Sequence, residues 1–354
     1  MTSSVRPLFG AGTARGGTGL VVQTLRANSR IELAMEPFLS VFKHYRSAVH
    51  RELAQTLHHQ QPAVSDPMPS GYFSREDRAY LDCILGQTID YDIPASELTE
   101  ILDGIRGRAK YDAADLVAHV GSIRGSNYAE LINSAIGMVR TARQRKGLSY
   151  CGTLENWCAD FFPFLADRFP EARFFLVVRD PRAVVASALS ADPSLRSTFL
   201  SYTRSIRKNL DLFLHYAGDP RFTGKLCLVK FEALVANPAG ISREICDFLE
   251  VDYEPAMIDP ANHVVPGSTE LRDGVSSFEE QAVGYSPERA SRWKQVLEQS
   301  VVDAVNALAY PELVSFGYLE HSSAVSFDGA ALRALLAVPS VNEHLGSWSL
   351  ESHA

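Results

Sequence analysis

Cysteine is scarce, and no two cysteines stand in a C-x-x-C pair. The five are Cys83, Cys151, Cys158, Cys227 and Cys246. An odd number without metal-ligand spacing argues against a disulfide framework or a zinc centre and fits a reducing, cytoplasmic setting. Long apolar runs are also missing, so no membrane-spanning helix is expected. Met1 to Pro7 has no apolar h-region, and no signal peptide is expected. There is no excess of positive charge: 34 Lys and Arg face 42 Asp and Glu, a formal net charge of −8. General nucleic-acid binding is disfavoured, because neutralising phosphates needs a basic face. Internal repeats are absent. A composition of 46% hydrophobic and 21% charged residues excludes disorder as the default, and 354 residues suffice for one large α/β domain or two ordinary ones.

Against these absences, the chain opens on a recognisable unit. Val5 to Phe9 reads as a short buried strand and Leu20 to Arg26 as a helix, with Gly10 to Gly19 as a glycine-rich turn between them. Arg30 to Met35 reads as a second strand, ending at Glu36-Pro37. Residues from about 38 to 147 lack strand runs and read as a helical insertion, with helices near Val41–Leu57, Arg75–Gly86 and Tyr128–Gln144. His58 to Gly71 reads as a surface loop within it. The α/β pattern resumes at Leu148–Gly152, followed by a helix from Asn156 to Phe169. Ala172–Val178 is the strongest strand, short and mostly apolar as expected of a central parallel strand. Arg182–Leu189 reads as a helix, Leu226–Val229 as a strand, and Ile241–Leu249 and Glu288–Ala309 as helices. The expected architecture is α/β and P-loop-like. It is one domain over 1–320, its central, mostly parallel sheet flanked by helices, with the insertion as a cap on the acceptor side. Residues 321–354 form a polar C-terminal extension with one amphipathic piece, Ala330–Ala337.

Two segments suit phosphate. Gly12-Thr13-Ala14-Arg15-Gly16-Gly17-Thr18 has Walker A glycine spacing but no lysine. Inward-turned N–H groups and a helix N-terminus bind an anion there, while Arg15 and Thr18 replace the cation that reaches β- and γ-phosphates. That suits one terminal phosphate carrying a further anionic group; an ordinary glycine-rich βα turn is the alternative. Arg179 ends the strongest strand and Ser187 follows on the next helix, a guanidinium fork plus a hydroxyl. Pairing of Arg179 with Asp180 is the structural alternative.

Gly12-x-x-Arg15-x-Gly17-Thr18-x-Leu20 resembles the 5′-phosphosulfate loop of sulfotransferases that use 3′-phosphoadenylyl sulfate (PAPS), usually G-x-x-R-S-G-T-[TS]-L. Arg179-Asp180-Pro181-Arg182-Ala183-Val184-Val185-Ala186-Ser187 resembles their 3′-phosphate segment. Leu228 to Pro238 is similar to their v-[RK]-Y-E-D-L-v-x-x-P turn, and Arg292-Trp293 with Phe316-Gly317-Tyr318 to their C-terminal pattern. The resemblance implies that Arg15, Gly16, Gly17, Thr18 and Gly19 hold the 5′-phosphosulfate, and Arg179 and Ser187 the 3′-phosphate. Departures are Gly16 and Gly19 in place of hydroxyl residues, Phe231 in place of tyrosine, and Gly152-Thr153-Leu154-Glu155-Asn156 in place of K-T-P-x-N.

A hydroxyl acceptor attacks better as its proton leaves, so a general base is expected. Glu36, just beyond the second strand, is the candidate, with Arg15 assisting; its Glu-Pro step resembles the glutamate of bacterial trehalose and tyrosylprotein sulfotransferases. A solvated carboxylate, or a partner of Arg15, is the alternative. His44, His119 and Glu155 are rivals, and Lys43, Arg124 and Lys230 are candidate cations for the leaving group. The expected activity is PAPS-dependent sulfuryl transfer, without a metal, to a hydroxyl of a small-molecule, glycan or lipid-linked acceptor. A P-loop small-molecule kinase and a non-catalytic nucleotide-binding protein stay open, as does homo-oligomer formation.

Overall fold

The computed structural model describes residues 5–57, 87–156, 158–191, 199–263 and 284–321. The expected Arg75–Gly86 helix, the His58–Gly71 loop and the Ala330–Ala337 piece lie outside them.

Five strands make one parallel sheet in the order β2-β3-β1-β4-β5. They are β1 (Arg6–Gly12), β2 (Ile31–Met35), β3 (Tyr150–Asn156), β4 (Arg173–Val178) and β5 (Leu226–Lys230). Side chains alternate across it. Phe9, Ala11, Phe174, Leu176 and Val178 feed one core, and Leu8, Ile31, Leu33, Phe175, Val177 and Val229 feed the other. Both faces are dry, which explains the continuous apolar run of β4. Each fully buried aliphatic or phenyl group contributes roughly 1.5–3 kcal/mol relative to exposure.

Helices α1 (Thr18–Arg26), α2 (Leu39–Leu57), α3 (Ala95–Asp112), α4 (Tyr128–Arg143) and α5 (Phe162–Arg168) precede β4. The sequence pattern indicates α2 and α4 but not α3, whose buried residues are only Ile101, Ile105 and Ala109. Asn127 starts α4 by accepting the Glu130 N–H at 2.9 Å. Within 38–147 no strand forms among the described residues, and the inserted helices share the larger core with the sheet.

After β4 come α6 (Pro181–Ala191) and α7 (Phe199–Ala217), then α8 (Phe231–Ala236) and α9 (Pro238–Leu249) beyond β5. The expected Glu288–Ala309 helix is three pieces, α10 (Glu288–Ser291), α11 (Trp293–Val296) and α12 (Gln299–Leu308), before α13 (Tyr310–Ser315). Leu297 and Glu298 are extended and break it. The break has a packing cause: the Trp293 ring lies 4.2 Å from the Arg182 guanidinium, while Leu297 packs on the larger core. The strand expected at Leu148–Gly152 runs on to Asn156, so Glu155 and Asn156 are strand residues and not the start of a helix. Among the described residues of the stretch read as Asn156–Phe169, only Ala159–Phe161 and α5 are helical.

The chain leaves β1 toward β2 and β3, then crosses to β4 and β5. Beyond the C-terminal end of β1 the connections part, which is where open α/β sheets place their ligands.

Candidate active site at the C-terminal edge of the sheet

The glycine loop is built from backbone first. Arg15 (φ 67°) and Gly17 (φ 87°) are both left-handed, and the Gly16 N–H turns back to Thr13 O at 2.8 Å. Gly17 packs against the Phe231 ring so closely that a Cβ there would meet it at 2.1 Å. At Gly16 a Cβ would stand 2.7 Å from Thr13 O, so this tight turn does not accept the serine usual at that position without shifting. Thr18 and Gly19 open α1, where the first N–H groups have no intrahelical acceptor.

Arg15, Arg179 and Ser187 come together. Arg15 Nε donates to Ser187 Oγ at 3.3 Å, and Arg179 Nη1 donates to Arg15 O at 3.0 Å. The Arg179 guanidinium lies 4.3 Å from the centre of the Phe231 ring, and its Nη2 donates to Arg289 O at 2.8 Å. Its Nε has no partner among the described residues. Burial pushes Arg179 down to about 10, with Arg289 and Arg15 as further repulsive neighbours; Glu232 and Asp180 pull it back up. It therefore stays cationic at neutral pH.

The structural alternative for Arg179 does not occur. Asp180 pairs instead with Arg182, whose Nη2 donates to Oδ2 at 2.7 Å, and caps α6 by accepting the Arg182 N–H at 2.9 Å. With Pro181 at the first helical position, the Arg-Asp-Pro-Arg run becomes a strand end, a cap and a helix start. Glu232 accepts the Asp180 N–H at 2.9 Å and the Tyr318 hydroxyl at 3.0 Å, fastening the β4 turn to the C-terminal segment.

Glu36 lies at the other half of the same edge. It is buried, left-handed at φ 52°, and its N–H donates to Leu154 O at 2.8 Å. Arg108 of α3 donates to its Oε2. Burial raises the Glu36 carboxyl above its ordinary range; Arg108 and a hydrogen bond from Asn156 pull it down. Glu36 is thus neither a solvated carboxylate nor an ion-pair partner of Arg15: its ion pair is with Arg108.

Other candidates fall elsewhere. His44 lies 3.3 Å from Glu97, which also accepts the Tyr128 hydroxyl and Arg51, a polar cluster inside the insertion. His119 is exposed. Arg124 donates to Gly121 O and Ile123 O in its own turn. Lys230 donates to Phe316 O at 2.6 Å.

Four residues join the edge that motif reading missed. Arg108 sits in the insertion and carries no motif. Arg289 lies next to Arg179, three residues before the Arg292-Trp293 pair that was the only signal for it. Asn209 donates to Gly12 O at 3.0 Å, and its neighbour Lys208 pairs with Asp160 at 2.5 Å. Among the described residues no His, Cys, Asp and Glu cluster suited to a metal ion occurs, and no helix is long and apolar enough to cross a membrane.

Solved structures similar to this chain include three bacterial sulfotransferases. The sulfotransferase domain of the Synechococcus PCC 7002 olefin synthase is 18% identical over 90% of this chain and 96% of that one, with a TM-score of 0.48. The sulfotransferase domain of the curacin biosynthetic pathway is 13% identical over 89% and 98%, with a TM-score of 0.50. A Mycobacterium avium sulfotransferase is 13% identical over 88% and 77%, with a TM-score of 0.41. At such identities the likeness is one of fold. The sequence itself goes further: residues 7–255, from the first strand to the turn beyond α9, match the profile of the Sulfotransferase family, and the chain belongs to that family.

Proposed function

We propose that the protein transfers a sulfuryl group from PAPS to a hydroxyl of a small-molecule, glycan or lipid-linked acceptor. The observation that carries this reading is the convergence of Arg15, Arg179 and Ser187, from two segments far apart in sequence, around one point beyond β1. A buried guanidinium with an N–H to spare suits a phosphate oxygen better than any described protein group. Backbone N–H groups of Gly16 to Gly19 and the Thr18 hydroxyl take the 5′-phosphosulfate. Arg179 and Ser187 take the 3′-phosphate, with Arg289 alongside. Arg15 bridges the two groups and steadies charge on the leaving phosphate.

Glu36 takes the acceptor proton. The acceptor oxygen bonds to sulfur as the sulfur–oxygen bond to the phosphate breaks. The products are the sulfate ester and adenosine 3′,5′-bisphosphate, with the proton on Glu36. Arg108 holds Glu36 in place and is the insertion's contribution to the acceptor side. It is also the cation beside Glu36 in a chain that lacks the family lysine. The four described cysteines are free thiols, which supports a cytoplasmic enzyme.

The test is ligand discrimination followed by turnover. Adenosine 3′,5′-bisphosphate should raise the melting temperature, and ATP with Mg²⁺ should not. A screen of sugars, phenols, sterols and natural-product alcohols should then show PAPS consumption with at least one class. Stabilisation by ATP alone would turn the reading to a kinase. Binding of the bisphosphate without turnover on any acceptor would turn it to a non-catalytic nucleotide-binding protein.

A further inference from the structure

Glu155 is a buried acid without an ion pair of its own among the described residues; the nearby Arg108 is paired with Glu36. It is 1% exposed, at the tip of β3. Its Oε2 has no hydrogen-bond partner among the described residues. Its Oε1 is fully engaged, accepting the Phe38 N–H at 2.8 Å and lying 2.7 Å from Thr153 Oγ1. Thr153 Oγ1 also lies 3.3 Å from Ala34 O. One hydroxyl proton cannot serve both oxygens. A protonated Glu155 resolves the conflict: it donates to Thr153 Oγ1, which then donates to Ala34 O.

These contacts fall on the turn that carries Glu36. Glu36-Pro37-Phe38 has only two backbone N–H groups, because proline has none. Both are spent on the tip of β3, Glu36 N–H on Leu154 O and Phe38 N–H on the Glu155 carboxyl. The left-handed conformation of Glu36 is uncommon for a residue with a side chain, and it persists where its surroundings fix it.

We propose that Glu155 is a positioning residue for Glu36: held as a neutral acid, it fastens the Glu36–Phe38 turn to β3 and keeps a second negative charge away from Glu36. The surrounding charges agree. Arg108 offsets Glu36, Lys208 offsets Asp160, and burial keeps the Cys158 thiol neutral, with Asp112 further out beside Glu36. A charge on Glu155 would share Arg108 with Glu36; burial, with Glu36 as a like-charged neighbour, pushes its carboxyl up to about 8 against Thr153, the Phe38 N–H and Arg108. The inference rests on the base role proposed for Glu36, and its first readout is independent of that role.

The full chain and three variants test it: Glu155→Gln, Glu155→Ala and Glu36→Gln. Infrared difference spectra near pH 7 should show a carboxylic-acid C=O band that disappears in Glu155→Gln and survives in Glu36→Gln. Absence of the band from the wild type, or its survival in Glu155→Gln, overturns the proposal. Single-turnover rates with PAPS and an acceptor come second. Glu155→Gln should match the wild type at neutral pH and escape the fall that the wild type shows as Glu155 ionises at about pH 8. Glu155→Ala should lose about 10–100-fold in rate through a displaced Glu36, with unchanged affinity for adenosine 3′,5′-bisphosphate. A folded Glu155→Ala with the full rate overturns the proposal. Should that variant not fold, an alkaline fall in Glu155→Gln equal to that of the wild type overturns it. A full rate in Glu36→Gln would remove the base role, and with it the positioning role, while the infrared band still decides where the proton resides.

Discussion

The C-terminal edge of the sheet has two unlike halves. Beyond β1 and β4 it is cationic, with Arg179 on the Arg15 and Arg289 carbonyls and Arg15 on Ser187; beyond β2 and β3 it is acidic, with Glu36 and Glu155 beside one arginine. Burial drives both toward neutrality, with unequal results. Arg179, pushed down to about 10, keeps its charge at neutral pH. Glu155, pushed up to about 8, does not. The phosphate half is therefore fixed in charge, whereas the acidic half titrates within the working range. In the proposed function donor binding and proton removal are divided along one edge, and only the second should depend on pH.

The largest expected effect falls on the cationic half. Gly17→Val puts a β-branched residue at φ 87° and drives its Cβ into the Phe231 ring, on whose face Arg179 stacks. Binding of adenosine 3′,5′-bisphosphate should vanish by calorimetry while far-UV circular dichroism keeps its helical signal. Normal binding would reduce the loop to a packing device and dissolve the distinction between the halves.

Next comes Glu36→Gln on the acidic half. PAPS affinity should be unchanged, and the single-turnover rate should fall by ~10²–10⁴. The sign of the pH dependence follows from the raised carboxyl. Glu36 acts only when ionised, so wild-type kcat/KM rises with pH through one ionisation above the ordinary glutamate value, a limb absent from the variant. A full single-turnover rate in the variant would show that this half is structural. Collapse of PAPS binding would show that the two halves are one.

Arg179→Ala should have a smaller effect. Loss of a charge-assisted bond to the 3′-phosphate weakens adenosine 3′,5′-bisphosphate by ~1.5–3 kcal/mol. A lesser loss is expected for the analogue without that phosphate, because Arg179 also holds the Arg15 carbonyl. Equal losses for both ligands in calorimetry would confine Arg179 to supporting the loop.

The two halves also differ in how far they could be read from sequence. Arg15 to Gly19 and Arg179 to Ser187 are contiguous strand–turn–helix runs, so spacing alone places each group at the end of a strand. The parallel sheet was legible for the same reason, through the apolar run of β4 and the glycine turn after β1. Arg108 reaches Glu36 across 72 residues of chain, and nothing in its local sequence marks it. Glu155 was legible as a departure from K-T-P-x-N and as a rival base, not as a buried acid; its burial depends on β3 running four residues beyond the expected end. The helix expected over 288–309 fails because periodicity does not register the packing of Trp293 against Arg182.

The smallest effect is expected at Lys230, and it tests where the cationic half stops. Lys230 ends β5, beside the strand that carries Arg179, and its sequence position suits a cation for the leaving phosphate. The structure instead points its ammonium at the C-terminal segment, on Phe316 O at 2.6 Å and 5.7 Å from the centre of the Tyr318 ring. Lys230→Met keeps the length and apolar stem and removes the donor. A hydrogen bond from a charged group is worth about 1.5–3 kcal/mol. Partial exposure of Lys230 lets water replace part of it, so the variant should lose about 1 kcal/mol in urea unfolding. Its single-turnover rate and bisphosphate affinity should match the wild type. A tenfold or greater fall in rate at unchanged affinity would extend the cationic half to β5 and give Lys230 the leaving-group role.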